Sequence, residues 1–261
     1  MAASCAGVDP HHAARASFDD TTVALLSYNA GIQNNEVLKW GWAFKKAGKY
    51  QKLKADVENI FGNEKGIQIL LISEICNMTQ KLEHSSGDSH PNAKQIFETI
   101  IKDLDLTDLR VMSNEPYVAL IDITCWRVKE CELINIVDDQ KDLVIQHLIL
   151  EHVHTGASMR CFNAHMPTSI ATHPRKQNAV RAMCNIATDV GGVLKPTASM
   201  PWILAGDINV TKATMMKWCA PFVDENVECI STSGWPQDEK AQKADFAISQ
   251  GIALQQVISW V

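Results

Sequence analysis

The stretch "ILAGDINV" (residues 203–210) is an apolar run that stops at a glycine, an acid and an amide. A segment suited to burial in a sheet thus delivers Asp207 and Asn209, two residues that prefer water, at its C-terminal end. The same design recurs along the chain. "VALLSYNA" (23–30) leads to Asn29, "IQILLISEIC" (67–76) to Glu74, "MRCFNAHMP" (159–167) to His165, and "ADFAIS" (244–249) holds Asp245. Near-continuous apolar runs such as 23–30 and 67–76 belong in sheets covered on both faces. Polar side chains at the ends of such strands are held by a rigid scaffold where loops open, the usual place for a ligand site.

Taken singly, each of these residues has an ordinary structural use. Asn29 can cap a turn, Glu74 can cap a following helix, and Asp207 with Asn209 can close a local turn on nearby backbone. Their combination points further. Several carboxylates, amides and an imidazole brought together near a core are costly unless a cation or a phosphate compensates them.

Outward from these runs, the middle of the chain offers successive strand candidates between Leu109 and Pro167, and their short connections predict an antiparallel meander. Helical patterns occupy 91–104 and Pro174 to about Lys195, with Pro174 suited to a first turn. Strands and helices at both ends with a β-rich middle predict two packed sheets covered outside by helices. No repeat or linker interrupts the chain, so 23–261 is read as one domain preceded by a flexible N-terminal segment, 1–22.

Hydrophobic residues make up 46% of the 261 residues and charged residues 21%, which is globular composition. No signal-peptide pattern and no window of roughly 18 apolar residues is present, so neither export nor a membrane span is expected. The 8 cysteines include no C-x-x-C pair, and Cys76, Cys125, Cys161 and Cys184 sit in apolar runs, as small buried hydrophobes do. An intracellular setting, cytoplasmic or nuclear, is expected.

The net charge of −6 excludes a globally basic nucleic-acid footprint. Lys39 to Lys54 is a local exception, with lysines and aromatics interleaved. It suits phosphates and bases, but Leu53, Val57, Ile60 and Phe61 continue at helical spacing, so an amphipathic helix with a solvated lysine face is the preferred reading. Arg127 and Lys129 share a strand face that could meet phosphates or form a solvated edge. No cysteine or carboxylate completes a zinc site around His147, His152 and His154, which reads them as exposed strand histidines.

In chain order, "SYNAG", "LLISEI", "CFNAHMP", "ILAGDINV" and "KADFAIS" resemble the successive motifs of the endonuclease/exonuclease/phosphatase superfamily, the deoxyribonuclease-like phosphoesterases. "PRKQNAVRA", between the histidine and Gly-Asp motifs, is similar too, and the resemblance runs from about Val23 to the end. It implies an α/β fold, a four-layer α/β/β/α sandwich of two packed mixed sheets with helices outside. It also implies a metal-dependent phosphoesterase, either a nuclease or a phosphodiesterase or phosphatase, in which water attacks a phosphate ester.

Position by position, the resemblance makes Glu74 the principal ligand of Mg²⁺ (or Mn²⁺) and has Asn29 help to hold the metal or the phosphate. His165 would contact the scissile phosphate, Asp207 would orient or deprotonate the attacking water, and Asn209 would hold the phosphate or the nucleophile. Asp245 stands in the last motif. Arg127 joins as a substrate-binding candidate. A hard cation held by one or two carboxylates suits this chemistry, and Gly206 would leave room for a phosphate-sized ligand. Nuclease activity comes first, although the acidic charge leaves a small phosphorylated substrate open; the oligomeric state is not legible.

The last motif departs from the family. The final aspartate is there followed by histidine, here by Phe246, which neither donates a hydrogen bond nor exchanges a proton. Reduced activity, replacement by another histidine such as His173, and an inactive member kept for binding all remain open.

Overall fold

The computed structural model describes residues 14–18, 21–32, 48–62, 66–75, 93–114, 116–136, 143–166, 173–187, 200–221, 227–231, 245–256 and 259–260. One sheet has 7 strands. These are β1 (Ala14–Phe18), β2 (Thr21–Ile32), β3 (Ile69–Ile75), β4 (Leu109–Asn114), β5 (Tyr117–Asp122), β12 (Ala253–Gln256) and β13 (Ser259–Trp260). Their order is β12-β1-β2-β3-β5-β4, with β13 pairing β2. The second sheet has 6 strands: β6 (Trp126–Ile136), β7 (Leu143–His152), β8 (Ser158–His165), β9 (Trp202–Asp207), β10 (Val227–Ser231) and β11 (Asp245–Gln250). It runs β10-β11-β9-β8-β7-β6. Pairs β2–β3, β2–β13 and β8–β9 are parallel and the other neighbours of these strands antiparallel, so both sheets are mixed, as expected.

Strand alternation explains the long apolar runs. Leu25, Ile69 and Leu71 face the second sheet, where they meet Leu148, Cys161, Ile203 and Ala205. The intervening Leu26, Leu70 and Ile72 point outward onto α1 (Gly48–Phe61) and α2 (Ala93–Asp103). Those helices bury Tyr50, Leu53, Val57 and Ile60, and Ile96, Phe97 and Ile100, at helical spacing. On the far side, Phe162, Trp202 and Leu204 pack under α3 (His173–Ala187) and α4 (Lys212–Cys219). Both faces of each sheet are therefore dry, and four layers, α/β/β/α, follow.

Several expectations are corrected. Residues 14–22, read as flexible, contribute β1 and the start of β2, because Ala14 to Phe18 pair with Thr21 to Leu25. The 109–167 run is not one meander. β4 and β5 join the first sheet while β6, β7 and β8 run antiparallel in the second, since the turn after Asp122 carries the chain across the core. His147 is buried, its ring stacked on Phe162 at 4.9 Å and its Nδ1 2.9 Å from Glu132 Oε1. Alternation that looked like a solvent face is covered by another layer. His154 lies in a turn rather than a strand. Of the lysine-rich segment, 48–54 falls on α1 as an amphipathic helix, and 39–47 lies outside the described residues.

Candidate active site

Three adjacent strands bring three predicted residues into one cross-strand row. Asp207, the last residue of β9, stands opposite Asp245 on β11 and opposite His165 on β8. The row continues the inter-sheet positions Ala205, Ala247 and Asn163, so it emerges at the rim of the sandwich where the two sheets face each other. His165 Nε2 is 4.0 Å from Asp207 Oδ2, with the two side chains 26% and 15% exposed. That separation is longer than a hydrogen bond and leaves both groups reachable from the rim.

Gly206 is what lets β8 and β9 close here. It sits at φ 144, and a Cβ on it would lie 1.9 Å from the Ala164 carbonyl oxygen. The missing side chain therefore makes room for the neighbouring strand, correcting the expectation that it clears space for a ligand. β11 places Phe246 in backbone register with Gly206.

The turn after Asp207 is held from several sides. Met166 N donates to Asp207 O at 2.8 Å, and Asn209 N donates to Asp207 Oδ1 at 3.1 Å. Asn209 adopts φ 54, a left-handed conformation that asparagine tolerates better than most residues. Its Nδ2 donates to Met166 O at 2.6 Å, and the residue is only 3% exposed. Asn209 thus acts in this structure as a clamp between the two strand ends. Beneath the turn lies Lys176, fully buried on α3, whose Nζ donates to Asn209 O at 3.0 Å.

Two buried polar residues tie the sheets together at this rim. Tyr117 Oη accepts from His165 N at 3.1 Å and donates to Val144 O at 2.7 Å, and burial pushes its pKa up to about 12. Asn163 Nδ2 donates to Ile72 O at 3.0 Å and to Gln146 Oε1 at 3.1 Å. The first of these bonds joins the His165 strand to β3 two residues before Glu74. At the ends of β2 and β3, Asn29 pairs with Ser73, the neighbour of Glu74. Backbone register therefore brings Asn29, Glu74, His165, Asp207 and Asp245 to one rim; the side chains of Asn29, Glu74, Asp245 and Phe246 lie outside the described residues, as does that of His173.

Arg127 does not join them. It pairs across β7 with Glu151, which stands opposite Ser158 at the start of β8, while His165 ends that strand. At roughly 3.3 Å per residue this is about 23 Å away. Arg127 Nη1 and Lys129 Nζ instead hold Glu151 at 2.8 and 2.9 Å, keeping its carboxyl below the ordinary range, Lys129 contributing most. The sequence reading also passed over Tyr117 and Lys176. Tyr117 follows Pro116 with no polar neighbour to mark it, and Lys176 sits in a helix where a solvated lysine is the ordinary expectation.

No sequence-family model matches the chain, and no curated protein sequence does. Solved structures do match. An endonuclease/exonuclease/phosphatase from Bacteroides vulgatus superposes with a TM-score of 0.58 at 12% identity, covering 88% of this chain and 87% of that one. The chain has the fold of the endonuclease/exonuclease/phosphatase proteins. The human Nocturnin catalytic domain with bound sulfate anion gives a TM-score of 0.58 at 12% identity, covering 90% of this chain and 85% of its own. A mannosyl-6-phosphatase from Bacteroides thetaiotaomicron gives 0.56 at 11% identity, covering 87% and 85%. At these identities the likeness speaks for the endonuclease/exonuclease/phosphatase fold, and the chemistry rests on the residues of the rim.

Proposed function

We propose that this chain is a metal-dependent phosphoesterase of the endonuclease/exonuclease/phosphatase type. The observation that carries the reading is the His165–Asp207–Asp245 row, on the same rim as the strand ends bearing Asn29 and Glu74. The named neighbours, a mannosyl-6-phosphatase and a Nocturnin domain holding a sulfate anion, support a phosphate-ester substrate, with nucleic acid one member of that class.

Asn29 and Glu74 offer an amide and a carboxylate oxygen at adjacent strand ends, a donor set that fits Mg²⁺ or Mn²⁺. When bound there, such a cation neutralises charge on the phosphoryl oxygens. Asp207 accepts a proton from the attacking water, its own position fixed by Asn209 N and by the closure of β8 on Gly206. His165, held through its backbone by Tyr117, donates toward a phosphate oxygen. Asn209 keeps Asp207 and Met166 in register and reaches substrate only through them.

Phe246 supports a second reading, a catalytically impaired member that binds phosphate esters. Hydrolysis of plasmid DNA, RNA and a generic phosphodiester, with Mg²⁺ or Mn²⁺, separates the two. Metal-dependent turnover that Asp207→Asn lowers by about 10²- to 10⁴-fold supports the enzyme. A silent wild type that gains activity in Phe246→His supports the impaired site. Turnover indifferent to Asp207 overturns the assignment of this rim.

A further inference from the structure

We propose that Lys176 is a positioning residue of this site: its buried ammonium holds the Asn209 peptide and serves as the counter-charge to Asp207. The catalytic part of this inference rests on the function proposed above, and the structural part does not.

Three features of Lys176 require a purpose. First, it is 0% exposed, whereas lysine is almost never fully buried without a partner. Second, it lies in the first turn of α3, where the helix dipole opposes a positive charge. Third, the helix around it buries Ala179, Val180 and Met183 in an apolar layer, so the ammonium sits against the grain of its surroundings.

The turn supplies the explanation. Because Asn209 has φ 54, its carbonyl is directed into the protein, where a buried acceptor left unpaired is costly. Lys176 Nζ satisfies it at 3.0 Å. A neutral donor would do as much for the carbonyl, so the charge points to Asp207, whose Oδ1 accepts from Asn209 N at 3.1 Å on the same residue that Lys176 holds. Burial pulls the Lys176 pKa down and the Asp207 carboxylate pushes it back up. Among the described residues, His165 also stands near this carboxylate, its Nε2 4.0 Å from Asp207 Oδ2. The pair thus locks the turn in the geometry that presents Asp207 to the rim and keeps a cation behind that carboxylate.

Two measurements test this. In steady-state hydrolysis, Lys176→Met lowers kcat by about 10²-fold with KM little changed, as a misplaced catalytic group does, and Lys176→Arg recovers most of the loss. A wild-type kcat in Lys176→Met, or a loss confined to KM, overturns the positioning role. The second measurement needs no substrate. Titration of the Lys176 ε-carbon by NMR in the metal-free wild type and in Asp207→Asn, a near-isosteric change, reads the coupling directly. The midpoint falls in Asp207→Asn, because the charge that favours the ammonium is gone. Identical midpoints overturn the counter-charge, and this result stands even where Lys176→Met does not fold. A protein that hydrolyses nothing yet shows the shifted midpoint would lose the proposed function and keep the Lys176–Asp207 pair.

Discussion

The two ends of the sandwich make opposite use of polar residues. At the end away from the row, a cleft of about 950 Å³ opens between α2 and the edge strands β4 and β6, lined by Lys94, Glu98, Arg110 and Arg127 among others. Its charges are exposed and partly matched with one another, Lys94 with Glu98 and Arg127 with Glu151. At the rim bearing Asp207 the polar groups are instead held by backbone partners, Asp207 by Asn209 N and His165 by Tyr117, with Asn209 itself buried. Cleft size reports where the sheets splay at their edges. Preorganisation reports where chemistry is built, since an oriented group in a dry setting acts with little rearrangement.

Substitutions at the two ends should therefore behave differently. Asp207→Asn gives the largest effect, a loss of about 3 to 5 kcal/mol of transition-state stabilisation measured as kcat/KM. Gly206→Ala comes next. It forces a side chain into the Ala164 carbonyl at a backbone conformation that disfavours one, and should destabilise the fold by on the order of 3 kcal/mol in urea denaturation. If Gly206→Ala folds as well as the wild type, the close approach of β8 and β9 is wrong.

Tyr117→Phe leaves His165 N and Val144 O without their partner, for a loss of about 1 to 3 kcal/mol in the same experiment. Smaller still is a pH effect at His147. Burial, opposed by Glu132, lowers its pKa below 6.5, so the folded state prefers the neutral ring. Its contribution is present above pH 6.5 and is lost as the pH falls below that value, where the unfolded chain takes up the proton. His147→Phe should flatten the decline of Tm below pH 6.5. Arg127→Ala, at the cleft end, should leave hydrolysis unchanged; a drop in kcat/KM would bring that cleft into the site and break the contrast.

Much of the fold was legible because a strand covered on both faces leaves an unmistakable apolar run. "VALLSYNA", "IQILLISEIC" and "ILAGDINV" became β2, β3 and β9, each at the heart of its sheet. The candidate site was legible to the extent that its residues lie at strand termini: His165 and Asp207 end β8 and β9, and Asp245 begins β11. Arg127 was misjudged for the complementary reason. Facing outward on a strand locates a residue on a face but not along it, and the register with Glu151 and Ser158 put it at the far end. His147 was misread because strand alternation cannot distinguish a solvent face from one covered by a helix layer.

By itself, the sequence determined the layers and the strand ends on which polar residues fall, because hydrophobic burial acts locally and repeats with the period of the strand. Only the tertiary structure decided which strand ends meet, that Gly206 answers to Ala164, and that Lys176 lies under the turn of Asn209. These depend on pairings between residues 33 to 43 positions apart and more, as Lys176 with Asn209 and Met166 with Asn209 illustrate. No local pattern encodes such a distance; the packing of α3 onto β8 and β9 does.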